Sequence, residues 1–172
     1  MSAKEIGIVM DSAETLPIML GATKLLDRFG IPYALDMLET HKNPQRMLDY
    51  ARSLASSDIM VVVAGATGAA HLPGMIAAFT PKPVIGVPIK ADNSIDGLDA
   101  IYSMLQMPMG VPVATMALNE AANAALFALQ ILGCKHPSYH DLVIAFKRQM
   151  KEEEERRANR LVSSGIEKYL ES

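Results

Sequence analysis

Residues 59–88 read IMVVVAGATGAAHLPGMIAAFTPKPVIGVP, and this stretch decides the fold. The apolar, β-branched run Val61-Val62-Val63 predicts a strand buried on both faces. A loop of small residues, Ala64 to Ala70, follows it, then His71-Leu72-Pro73-Gly74. A short apolar helix over 75–79 and a second buried strand over 84–87 complete the unit. A strand that runs into a glycine-bearing turn and then a helix is a frequent ligand site in α/β folds. Glycine there lets backbone amides approach a ligand closely. His71 adds a polar, titratable group that a purely structural turn does not need.

Working outward, strands are expected at 5–10, 31–38, 59–64, 84–87 and 111–116. Helices are expected between them. Pro17 fits the first turn of one over 16–29, and Gly30 stops it. Asn43-Pro44 reads as an N-cap and an N1 proline, opening a helix to about residue 54. Further helices follow at 71–79, 98–105 and 121–132, the last with Asn119 as its cap and apolar nearly all round. A long helix over 138–169 carries KEEEERRANR, rich in opposite charges four residues apart. Strict alternation of strand and helix implies a doubly wound, mostly parallel sheet. Ligands in such sheets sit beyond the carboxyl ends of the strands. The loops 11–15, 39–43 and 64–74 share that edge and gather Ser12, His41, Lys42 and His71.

Composition narrows the function classes. The chain has 172 residues, 50% apolar but only 5% aromatic, so the core is built from Val, Ile, Leu, Ala and Met. Its 12 methionines are expected as packing filler. A net charge of −3 without a basic patch argues against nucleic acid. The single cysteine, Cys134, can form neither an intrachain disulfide nor a zinc site. No apolar run reaches the ~18 residues of a membrane span, and the N-terminus lacks the layout of a signal peptide. The expected setting is cytoplasmic, with no membrane partner.

The string GAAHLPGM, followed by TPKPVIGVP, QMPMGVPVAT and AANAA, is specific. It resembles the class I PurE family, the N5-carboxyaminoimidazole ribonucleotide mutases of purine biosynthesis, from about Ile6 to Leu132. The resemblance implies an α/β fold: a three-layer α/β/α sandwich with a parallel, flavodoxin-like sheet. It implies a homo-octamer with sites where subunits meet, with residues 1–135 forming the α/β domain and 136–172 a C-terminal helix packing on neighbouring subunits. It implies no metal and no organic cofactor. The partners it implies are a small heterocyclic substrate and its carboxylate or CO2. The chemistry moves a carboxylate from an exocyclic nitrogen to a ring carbon of an aminoimidazole ribonucleotide. His41 corresponds to the histidine of the family's Ser-Ala-His-Arg loop and His71 to that of its Gly-Ala-Ala-His-Leu-Pro-Gly loop. The resemblance makes these two the catalytic residues, with His41 as general acid/base. It places Gly65, Gly68, Ala69, Ala70 and Leu72 around the carboxylate or CO2, and Ser12, Glu14, Thr15, Glu39, Thr40 and Lys42 around the rest of the substrate.

The chain departs from the family pattern in the loops expected to meet phosphate. Met-Gly-Ser-x-Ser-Asp is here Met10-Asp11-Ser12-Ala13-Glu14-Thr15, and Ser-Ala-His-Arg is Glu39-Thr40-His41-Lys42. Thr67 stands for a glycine, and Asn119-Glu120 for a longer Gly-Lys-Ala-Gly segment. Carboxylates are gained and a lysine is lost. Two unit charges ~4 Å apart interact by roughly 4 kcal/mol at an effective dielectric of 20. Three readings follow. One is the mutase itself, with an altered phosphate loop. Another is a paralogue using the same histidine chemistry on a non-phosphorylated heterocycle. The last is a non-catalytic octameric binding protein.

Overall fold

The computed structural model describes residues 3–170, so expectations that begin at residue 1 or end at 172 extend past the described residues. The elements run β1 (Ile6–Met10), α1 (Leu16–Arg28), β2 (Tyr33–Met37), α2 (Pro44–Ser53), β3 (Val61–Thr67), α3 (His71–Phe79), β4 (Val84–Ile89), α4 (Leu98–Leu105), β5 (Ala114–Thr115), α5 (Ala121–Gly133) and α6 (Pro137–Leu170). The sheet order is β2-β1-β3-β4-β5, parallel throughout. This is the flavodoxin-like order, and its direction reverses between β1 and β3.

Alternation within the strands sorts the core into two layers. Ile6, Ile8, Met10, Val61, Val63, Ile85 and Val87 point to one face and meet Met19, Ala22 and Leu26 of α1 and the alanine stripe of α5. Val9, Val62, Ala64, Ala66 and Val84 point to the other and meet Met47, Ala51, Leu72, Ile76, Ala100 and Met104 from α2, α3 and α4. Helices therefore cover both faces, giving three layers. α1 and α5 lie side by side at Gly21, where an added Cβ would rest in ordinary contact with Ala121 and Ala122. Met10, Met19, Met47 and Met104 are fully buried, as expected of packing filler.

Several boundaries differ from expectation. β2 is an edge strand, and its Leu35 and Met37 stay exposed. β5 shrinks to two residues. Pro112 has no N–H to give a ladder, so only Ala114 and Thr115 pair, with Ile85 and Gly86. Glu120, not Asn119, is the residue ahead of α5. Asn119 has a left-handed φ of 62°, and its Oδ1 accepts the Lys90 N–H at 3.0 Å, bracing the loop after β4. α5 buries its alanine stripe, yet Asn123 is exposed and Phe127 only partly buried. The long helix is broken at Gly165 (φ 76°, ψ 166°).

The first half of α6 docks on its own chain. Phe146 meets Phe29 edge-to-face at 5.6 Å, and Arg28 Nη2 donates to Gln149 Oε1 at 2.7 Å. Tyr139 donates its hydroxyl to Glu5, and burial together with that carboxylate pushes the phenol up to about 12. Farther along, Leu161, Val162, Ile166 and Leu170 are exposed. Among the described residues no helix is long and apolar enough to cross a membrane.

Candidate functional site

Local sequence signals hold the three loops at the carboxyl edge. After β1, the 12–15 segment closes as a 3-10 turn, with the Thr15 hydroxyl donating to the Ser12 carbonyl at 2.7 Å. After β2, the Lys42 and Asn43 amides return to the Glu39 carbonyl at 3.1 and 2.8 Å. Asn43 Oδ1 then accepts the Arg46 N–H at 3.0 Å, so Asn43 caps α2 as expected. After β3, the Ala70 N–H closes a turn onto the Thr67 carbonyl at 2.9 Å, and α3 starts at His71. Ala70 itself has φ 44°, a left-handed conformation that strains a residue carrying a Cβ.

These loops bring His41 and His71 together. Their ring centroids lie 4.9 Å apart, nearly perpendicular at 85°. Both residues are exposed; His41 lines a cavity of about 200 Å³ with Asp11, Ser12, Glu14, Glu39, Thr40, Lys42 and Thr67, and His71 stands beside His41 outside that lining. The cavity sits beside the reversal point between β1 and β3, where open α/β sheets bind ligands. A larger open groove of about 560 Å³ runs past Asp36, Arg46, Asp49 and Tyr50 but holds no histidine.

The other expected site residues divide. Ser12, Glu14, Glu39, Thr40 and Lys42 line the cavity. Thr15 does not line it; its side chain is fully buried under its own turn. Gly65 lies inside β3, where a Cβ would run into Met19 and Ile89. Leu72 is a core residue below the turn. Gly68, with φ 56°, and Ala69 and Ala70 form the turn that leads to His71. With Ala70 ahead of it, α3 has no side-chain cap, leaving its first-turn amides available to an acceptor.

Asp11, Glu14 and Glu39 share the cavity lining with Lys42. Lys42 is fully exposed, and its Nζ is 2.6 Å from Glu39 Oε2. The Glu39 carboxylate, by hydrogen bond and charge, holds the lysine above its ordinary range, with a smaller contribution from Glu14. Its charge is thus shared with carboxylates of the protein.

Two liners, Asp11 and Thr67, were not among the expected site residues. Asp11 Oδ2 accepts the Thr67 N–H at 2.9 Å and faces its hydroxyl at 3.4 Å. Asp11 Oδ1 and Ser12 Oγ are closed off from solvent, and neither makes a hydrogen bond of good geometry. A usable sequence signal existed: both Asp11 and Thr67 stand where the family pattern has glycine, Asp11 just after β1 and Thr67 at the end of the adjacent β3. Burial raises the Asp11 pKa, and the Thr67 amide only partly offsets this. A carboxyl with a raised folded pKa binds its proton more tightly in the native state, so stability falls as pH rises from about 3.8 through the raised value. Asp11→Asn is therefore expected to raise the melting temperature at neutral pH. The gain should vanish as pH falls below that window, and melts of both proteins across pH 3–8 check it.

The family model described as AIR carboxylase matches residues 5–153. An N5-carboxyaminoimidazole ribonucleotide mutase from Pyrococcus horikoshii is 46% identical over 165 residues, covering 96% of this chain and 93% of that protein. A mutase of the same description from Thermotoga maritima is 46% identical, with 96% of each chain covered. A phosphoribosylaminoimidazole carboxylase from Saccharomyces cerevisiae is 46% identical over 167 residues, but this chain spans only 29% of its length. Among solved structures, Treponema denticola PurE superposes with a TM-score of 0.78 over 94% of this chain and 98% of its own, at 24% identity. That likeness concerns the fold. With its match from the first strand into the last helix, the chain belongs to the AIR carboxylase family, the PurE family of purine biosynthesis.

Proposed function

We propose that this protein catalyses the carboxyl shift named for its mutase relatives, moving a carboxylate from the exocyclic nitrogen to a ring carbon of an aminoimidazole ribonucleotide. The observation that carries the reading is the His41–His71 pair, 4.9 Å apart beside the β1/β3 reversal point. The reaction needs one proton delivered and one removed. The N–C bond breaks, its electron pair stays on nitrogen, and nitrogen takes a proton as CO2 is released. The ring carbon's π electrons then attack CO2, and the ring C–H proton leaves. Histidine changes charge between about pH 5 and 8, so one imidazole can give the first proton and take back the second. His41, on the 39–43 loop, fills that role. His71 and the uncapped first turn of α3 hold the carboxylate and CO2, since amides at a helix start favour an anion.

The site calls for more than one chain. A cavity of about 200 Å³ is below the ~300–1,000 Å³ usual for small-molecule sites, and both histidines are open to solvent. Beside it, Met10, Leu16, Pro17, Leu20 and Leu35 line an apolar groove, with Leu16, Leu20 and Leu35 each about half exposed. Neighbouring copies closing this face would complete the pocket, and an octamer would do so symmetrically. The exposed apolar residues beyond 160 give α6 a surface for the same purpose.

One observation favours a second reading. Lys42 is already paired with Glu39, and Asp11 and Glu14 add carboxylates to the cavity. This suits a ligand whose far end carries a hydrogen-bond donor, such as an unphosphorylated heterocycle. Turnover of N5-carboxyaminoimidazole ribonucleotide by the purified protein, followed by chromatography of the product, tests the first reading. Conversion supports it. No conversion, together with no thermal stabilisation by phosphate or a nucleoside monophosphate, favours the second.

A further inference from the structure

We propose that Asp11 is a positioning residue that sets the orientation of His71, and through it the His41–His71 pair, by bracing the end of β3. The proposal rests on the role just given to the two histidines.

Asp11 grips β3 at two points. Its N–H donates to the Gly65 carbonyl at 3.2 Å, and its Oδ2 accepts the Thr67 N–H at 2.9 Å with the Thr67 hydroxyl at 3.4 Å. Thr67 is the last residue of β3, and only Gly68, Ala69 and Ala70 separate it from His71. That connection is tight: the Ala70 N–H returns to the Thr67 carbonyl at 2.9 Å, and Gly68 and Ala70 both hold left-handed φ values, 56° and 44°. A turn so constrained carries the tilt of the Thr67 peptide directly into the first residue of α3. His71 in turn meets His41 across 4.9 Å. The loop bearing His41 hangs from the same strand as Asp11, since the Leu38 N–H donates to the Met10 carbonyl at 2.8 Å. Asp11 thus stands between the two loops that carry the histidines. The left-handed Ala70 is costly on its own, and Asp11 supplies part of what holds the turn in place.

The test uses the full-length protein labelled with ring-13C histidine, its His71 and His41 signals assigned with His71→Asn and His41→Asn. Asp11→Ala removes the brace. It is expected to shift both ring signals and to lower kcat by about 10–100-fold with KM within about 3-fold, the cost of a misplaced catalytic group. Asp11→Asn keeps an oxygen acceptor for the Thr67 amide and is expected to retain both ring signals. If Asp11→Ala does not fold, Asp11→Ser, too short to reach Thr67, carries the same expectation. Unmoved histidine signals in the folded Ala or Ser variant would overturn the proposal, as would an Asn variant whose ring signals move as far as those of Ala. Shifted signals in a protein whose wild type does not convert N5-carboxyaminoimidazole ribonucleotide would leave the positioning role standing and remove only the substrate assignment.

Discussion

Replacing His41 with asparagine is expected to lower kcat by about 10²–10⁴-fold, the span that general acid–base groups contribute. Asparagine keeps a similar volume and hydrogen-bonding capacity but cannot exchange a proton near neutral pH. The ring is exposed and its loop is tied by backbone bonds to Glu39, so the fold loses little; such surface changes stay within about 0.5 kcal/mol. Loss of turnover with an unchanged melting temperature is the signature. His71→Asn should cost less in kcat, because its assigned part is holding the carboxylate. A fully active His41→Asn protein would remove the proton shuttle from the mechanism.

The second large effect lies at the other end of the cavity. Glu14→Ser, Glu39→Ser and Lys42→Arg together should tighten binding of a nucleoside monophosphate by about 10–100-fold, measured by calorimetry. Removing Glu39 releases the cation from its 2.6 Å pair, and arginine offers a two-pronged fork to phosphate where lysine offers a point charge. The gain is set well below the roughly 4 kcal/mol of a bare pair at about 4 Å, because Glu14 and Lys42 are exposed and screened. Thr15→Asp, which would restore another residue of the family pattern, is best left out. Thr15 is fully buried beneath its own turn, and a carboxylate there would lose its solvation without a cation to meet it. Unchanged affinity in the triple variant would show that these side chains face away from the ligand.

The sheet was legible in the sequence because its central strands are buried on both faces and read as unbroken β-branched runs, as Val61-Val62-Val63 does. Caps were legible where chemistry is local: Asn43-Pro44 opens α2, and Gly30, with φ 66°, follows α1. β5 was overread because apolar alternation at Val111 and Val113 reports packing on the core, not ladder pairing, and Pro112 breaks the ladder. Asn119 looked like a cap, yet a tertiary partner, the Lys90 amide, claimed its side chain. In the site, loop order placed His41 and His71 at one edge, but their edge-to-face contact depends on the tilt of two turns, which no spacing rule carries. The Asp11–Thr67 contact joins residues 56 apart in the chain and emerges only from the β1–β3 register.

The proposed carboxyl shift keeps CO2 in the pocket between leaving nitrogen and joining carbon. Substrate carrying a 13C carboxylate, turned over in unlabelled bicarbonate, tests this most directly. Product that retains the label in wild type, formed about 10²–10⁴-fold more slowly by His41→Asn, is the predicted result. Product bearing unlabelled carboxylate, or no product from the wild type, would contradict it.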